Sequence, residues 1–230
     1  EGNFSAFGHP ELSVGIEYDE DFVRVLSSVA SEQELPAGTL GEKDASLDHG
    51  TMIPLFFLSE YLGAAPTKFV RIGIAGLPAH THALLGQCIA ATAERLGRRT
   101  VCIASGDLSH RLTEGGANGF APEGAEFDEL CTAFLKTGDF LSLLQIPGSF
   151  AETAGHCGLN GLWVLAGALD CAAVDARLHS YEAPFGVGYA VASFIVTGRD
   201  DSNDFAAQLQ RSEDAVIAEL RAAEDDYVRL

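Results

Sequence analysis

The chain has 230 residues, of which 47% are hydrophobic and 20% charged. That is long enough for one α/β domain with a substantial core, and too apolar for a disordered chain. Fourteen Lys+Arg against 33 Asp+Glu leave a formal charge of -19; a surface this acidic repels phosphate, so nucleic acid and anionic membrane are poor partners. No apolar run reaches the roughly 18 residues that cross a bilayer, and the opening EGNFSAFGHPEL has neither the basic start nor the apolar stretch of a secretory leader. The five cysteines are odd in number and lack a CxxC pair, which reads as buried thiols in a reducing cytoplasm.

SVGIEY (13–18) alternates as a short strand, and DEDFVRVLSSVASEQ behind it is a helix opened by acidic residues. PAGTLGEKDASLDHG is a loop. TMIPLFFLSEYLG is apolar enough for a buried helix, with Pro54 near its start. KFVRIGIAG (68–76) is a buried strand rich in β-branched residues. HALLGQCIAATAERLG carries Leu85, Cys88, Ile89, Thr92 and Leu96 at helical spacing and stops at Gly97. RTVCIASGDLSH is a second buried strand ending in a polar loop, and EGGANGFAPEG is a glycine-rich surface loop. EFDELCTAFLKTGDFLSLLQI reads as two short helices broken at Gly138, LNGLWVLAGALDCA as an apolar helix, and VDARLHSYEAPFGVGYAVASFIV as two strands about a Pro-Gly turn. This rhythm predicts an α/β fold, a mainly parallel central sheet with helices on both faces. GRDDSND then reads as a charged linker, and the stretch after it as an amphipathic tail with Phe205, Leu209, Val216 and Leu220 on one face.

Four histidine motifs could carry chemistry. SGDLSH (105–110) follows a buried strand, where ligands bind in open parallel sheets. His110 can pass a proton in either direction near neutrality; equally, Asp107 caps a turn and His110 is a surface residue. In DHGTMIPL, Asp48 orients His49 or caps the helix starting near Thr51. In AGHCGLNG, His156 and Cys157 are transition-metal donors ahead of a helix, or a capping histidine beside a structural thiol. His80 and His82 in PAHTH have ligand-like spacing but also suit a loop and helix cap. His9 and His179 read as surface residues.

In this order, DHGTMIPL, SGDLSH, the Gly-containing turn before LAGAL, and SYEAPFGVGYAVASF resemble the class III (LigB-type) extradiol ring-cleavage dioxygenases, from about Phe4 to Phe194. The resemblance is to the branch associated with AMMECR-type and radical-SAM proteins, and DDYVRL at the end is similar to the opening of an AMMECR-type domain. It divides the chain into a LigB-like domain over 1–197, incomplete at its start, and a linker and helical tail over 198–230.

The resemblance implies aromatic ring opening of catechol-type substrates with O2, at a non-haem Fe(II) site of two histidines and one carboxylate. Both histidines would come from a segment ahead of Glu1. The carboxylate lies eleven residues before the Gly of the GAL helix, and 167 − 11 = 156 puts His156 where glutamate is expected, with Cys157 next to it. His110 corresponds to the acid/base histidine beside Asp107, His49 to the histidine contacting substrate and oxygen, Gly106 to the substrate-side backbone, and His156 or Cys157 to the metal. A third neutral imidazole would leave Fe(II) a charge near +2 and disfavour electron donation to oxygen, so zinc or an empty site remains compatible. The rival readings are a Memo-like accessory module working with a radical-SAM partner, and a metal-dependent hydrolase using Asp107 and His110. A homo-oligomer is compatible with each.

Overall fold

The computed structural model describes residues 1–39, 46–62, 67–212, 214–215 and 217. Strands β1 (Gly2–Phe4) and β2 (His9–Val14) form a small antiparallel hairpin. Seven helices follow: α1 (Glu20–Glu32), α2 (His49–Leu58), α3 (Ala79–Arg95), α4 (Pro122–Thr137), α5 (Phe140–Leu144), α6 (Gly148–Ala154) and α7 (Leu159–Ala168). A long antiparallel hairpin, β3 (Ala172–Glu182) with β4 (Tyr189–Arg199), completes this order, and 205–212 is helical.

This is a mixture of helices and small antiparallel sheets, compatible with the α/β class. The mainly parallel sheet expected from the strand–helix rhythm is not formed among the described residues. The segments 68–76 and 100–106 form neither helix nor strand, and their only pairing among the described residues is a parallel bridge between Phe69 and Tyr18. A ladder needs a continuous neighbouring strand, and beyond that bridge these segments have none among the described residues. Their apolar side chains therefore meet solvent: Val101 is 84%, Ile74 47% and Ile103 46% exposed. SVGIEY also shifts, its strand ending at Val14.

Helix ends follow local chemistry. The Asp19 side chain accepts from the Phe22 N–H and starts α1; Asp48 does the same for α2 through the Thr51 N–H at 2.8 Å. Gly138 ends α4 in the left-handed conformation, at the expected break, though α4 is a full 16 residues. The expectation of a buried α2 fails. Only Met52 and Leu55 are buried, while Ile53, Phe56 and Phe57 face outward over the β1–β2 hairpin.

The main core joins Ala83 of α3, Phe127 and Cys131 of α4, Phe140, Leu143 and Leu144 of α5, and Leu159, Trp163 and Ala166 of α7. Helices α3 and α7 cross through glycine: a Cβ on Gly86 would strike the Val164 carbonyl, and one on Gly167 the Ala83 carbonyl. The segment expected as a loose linker is tied down. Cys171 N–H donates to the Asn203 carbonyl, and Asp170 accepts from the Phe205 N–H at 2.7 Å. Phe205 and Leu209 then enter the main core; Val216, Leu220 and DDYVRL lie outside the described residues. Among the described residues no helix is long and apolar enough to cross a membrane.

Candidate functional site

The site is built around SGDLSH, whose backbone is fixed at nearly every residue. Leu108 N–H donates to the Gly188 carbonyl and Gly188 N–H to the Ser109 carbonyl, which ties the loop to the start of β4. Ser109 is fully buried; its N–H donates to Asp128 at 2.7 Å and its hydroxyl to the Ala154 carbonyl at 2.8 Å. His110 N–H donates to the Gly155 carbonyl at 2.7 Å. A side chain held on such a loop loses little further entropy when it meets a ligand.

The opposite wall is the turn before α7. Asp107 N–H reaches the Cys157 Sγ at 3.1 Å, and the Asp107 carbonyl accepts from the Cys157 and Gly158 N–H groups. The two backbones pass so closely that a Cβ on Gly106 would lie 2.5 Å from the Gly158 Cα. Glycine at 106 is therefore a packing requirement as well as the proposed substrate-side position.

Three donors meet here. The ligand atoms of Asp107, His110 and Cys157 all lie within 4.8 Å of one another. His110 Nε2 is 3.6 Å from Asp107 Oδ2, too long for a hydrogen bond, and that buried nitrogen has no hydrogen-bond partner among the described residues. An orphaned imidazole nitrogen facing a carboxylate and a thiol suits a divalent transition ion. The donor set does not match two imidazoles and one carboxylate, because the cluster holds a single histidine. The Cys157 thiol is pushed up, first by desolvation and then by the Asp107 charge, while the Asp107 backbone bond pulls the other way. A cation at the cluster would favour the thiolate.

The other expected residues are placed differently. The His156 ring stacks on Phe127, centroids 5.4 Å apart and planes at 20°. Its Nδ1 accepts from the Leu159 N–H at 3.3 Å, which puts the proton of the neutral ring on Nε2 and makes His156 a helix-capping side chain. Burial lowers its pKa, the charge of His110 lowers it further, and Glu152 opposes both. His156 thus borders the cluster without joining it. The start of α2 approaches the loop, with Ser105 Oγ 3.9 Å from the Cβ position of Gly50, but the exposed His49 ring lies against Phe7, centroids 6.3 Å apart. Buried His82 packs against Trp163 and bonds the Pro78 carbonyl through Nδ1 at 3.1 Å; it is a core residue, and His80 is exposed. His9 pairs with Glu11 and His179 with Ser193, both at the surface.

Asp128 was missed in the sequence. It is 2% exposed, accepts from the Ser109 N–H and from the Tyr181 hydroxyl at 2.7 Å, and so anchors the loop from beneath. The signal was there: the buried positions of α4 are 124, 127, 128, 131 and 135, a helical stripe with one carboxylate in it.

A metal-competent Asp–His–Cys cluster on a pinned loop defines a candidate enzymatic centre in an α/β-class domain. The comparisons give the family. Residues 1–192 match the family model described as the catalytic LigB subunit of aromatic ring-opening dioxygenase, and the chain belongs to that family. It is also similar to Protein CA_C1420 of Clostridium acetobutylicum, 31% identical over 236 residues, covering 100% of this chain and 50% of that protein. The chain thus spans about half the length of the curated relative it matches.

Proposed function

We propose that this protein is an extradiol, ring-opening dioxygenase that cleaves a catechol-type substrate with O2 and depends on Fe(II). The observation that carries the reading is the His110 imidazole, fixed beside Asp107 in a chain whose residues 1–192 match the LigB family. In this reading His110 exchanges a proton with a substrate hydroxyl, Asp107 holds the imidazolium that results, and Gly106 lets the substrate approach the backbone. His49 contacts substrate or oxygen after a rotation away from Phe7. Cys157 would be the metal donor from this chain, and His156 would offer Nε2 only in the tautomer with its proton on Nδ1, which gives up the Leu159 bond.

The described residues do not complete an Fe(II) site, so the remaining ligands come from elsewhere in the working protein. The same reading takes 1–197 as the domain, with KFVRIGIAG (68–76) and RTVCIASGDLSH, a strand ending in a polar loop, in a mainly parallel sheet. It places the protein in the cytoplasm. The one-histidine cluster also supports a second reading, an accessory module associated with AMMECR-type and radical-SAM proteins that no longer cleaves rings.

Oxygen uptake with a catechol and added Fe(II), followed together with the absorbance of the ring-opened product, separates the two. For a dioxygenase, His110→Ala lowers the rate about 10² to 10⁴-fold, the usual contribution of an acid–base group, and His156→Glu raises it. If His110→Ala cleaves as fast as wild type, the acid–base assignment is wrong. No cleavage by the full-length wild type, with activity gained in His156→Glu, supports the accessory reading.

A further inference from the structure

A cavity of about 940 Å³ opens beside His156, within the size range of small-molecule sites. Its apolar wall comes from four places in the fold: Leu77 ahead of α3, Leu144 and Ile146 at the end of α5, Trp163 of α7, and Leu209 of the helical 205–212 stretch. Trp163 is held rigidly, its indole N–H donating to the Leu143 carbonyl at 3.1 Å and its ring lying 5.7 Å from that of His82. Asn160 lines the same space and donates to the Ala75 carbonyl, which ties the loop ahead of α3 to α7.

The charge of the lining is one-sided. Among the described residues, Glu152 is the single charged side chain that lines the cavity, and it is exposed to solvent. Among the described residues no lysine or arginine lines it. Arg111, the cation that approaches α6, donates to the Thr153 carbonyl instead. A chain of net charge -19 adds a negative background. An aromatic carboxylate entering here would meet a like charge and no counter-ion, whereas an amine would meet a carboxylate.

We propose that this cavity binds an aromatic molecule carrying a cationic amino group, with the ring against Trp163 and the amine at Glu152, and that it selects against aromatic carboxylates. The inference rests on the ring-opening reading and deepens it by naming its substrate class, since His156, the chain neighbour of Cys157, lines the cavity. It remains testable if that reading fails, because binding can be measured without turnover. Indeed the discriminating ligands need not be catechols at all.

The chain has one tryptophan, so its fluorescence reports occupancy of this cavity directly. Three probes share a ring and differ in charge: 2-phenylethylamine, 2-phenylethanol and phenylacetate. The expected order of affinity is amine, then alcohol, then carboxylate. Glu152→Gln weakens the amine about twofold to fivefold, the size of an exposed ion pair, and leaves the alcohol unchanged. Salt at about 1 M, where screening reaches about 3 Å, removes the amine's advantage in wild type. The proposal is overturned if phenylacetate binds as tightly as the amine, if no probe changes the fluorescence, or if Glu152→Gln weakens amine and alcohol equally. That last result would make Glu152 part of the wall's structure and not its selector. Absence of ring cleavage, with the amine preference intact, would sink the dioxygenase reading and leave the cavity's selectivity standing.

Discussion

At the level of single residues, Asp128 decides whether the SGDLSH loop keeps its shape. Burial raises the pKa of its carboxyl, and the Ser109 N–H, the Tyr181 hydroxyl and the charge of His110 draw it partly back. The Tyr181 hydroxyl is shifted upward as well, by burial first and then by the bonded carboxylate. Because the folded state holds the Asp128 proton more tightly than the unfolded chain, the unfolded chain binds fewer protons in that window. This contribution to stability is fully present below the unfolded pKa of about 3.9 and is lost as pH rises through the raised folded value. Asp128→Asn carries a neutral amide throughout and has no such dependence. The stability of wild type minus that of Asp128→Asn therefore falls as pH rises above about 4, as read from urea unfolding at several pH values; a difference that grows with pH would contradict the raised carboxyl. Tyr181→Phe removes one of the two donors to the carboxylate, and its expected cost is about 1–3 kcal/mol. The clustered residues Asp107, His110 and Cys157 stood out in the sequence, because titratable residues after an apolar run or before a helix are conspicuous. Their anchor was not singled out, since a carboxylate inside a helix usually means a solvated face, and only the stripe it shares with Phe127 and Cys131 says otherwise.

Among the elements, the α3–α7 crossing sets the position of the site. Helix α7 begins beside Cys157, and α3 begins beside the loop that lines the cavity, so their separation fixes both. Gly86 of α3 and Gly167 of α7 permit the contact, and they differ in kind from Gly161, also in α7. A Cβ on Gly167 runs into the Ala83 carbonyl, a backbone atom that cannot rotate away, whereas a Cβ on Gly161 finds Ala104 Cβ at 3.7 Å, an ordinary contact. Gly167→Ala gains helix propensity of about 0.5–1 kcal/mol but overpacks a crossing at about 1–3 kcal/mol. It is expected to lower the Tm by a few degrees, while Gly161→Ala leaves it equal or higher. Equal effects in the two variants would show that the crossing is not tight. Helices such as α3 and α7 were legible from their apolar spacing and their stops, because that signal is local. The pairing of 68–76 and 100–106 was not, because a run of β-branched residues reports an extended backbone and says nothing of which strand lies beside it. The same gap misled the reading of α2, whose apolar residues were assigned to a core that the described residues do not provide.

For the whole molecule, two opposing terms govern behaviour in solution. Val101 at 84% exposure, Phe57 at 69% and Tyr61 at 80% are large apolar groups in water, and the extended segment holding Val101 and Ile103 lacks ladder partners among the described residues. An open apolar edge is a template for pairing with another chain. Against these exposed apolar side chains stands the net charge of -19, which keeps copies apart for as long as it is not screened. Screening length falls from about 30 Å at 0.01 M salt to about 3 Å at 1 M, so the balance tips as salt is added. The 230-residue chain is therefore expected to sediment as a single species at low salt, and to show a weight-average mass that climbs with protein concentration at 1 M NaCl. Placing glutamate at both positions, Val101→Glu with Ile103→Glu, removes the apolar side chains and adds like charge at the edge. That double variant should stay monomeric at high salt while unfolding in urea at nearly the same midpoint, since neither side chain is buried. If it associates as wild type does, the contact lies elsewhere, and the exposed aromatic face of α2 with Phe56 and Phe57 becomes the surface responsible.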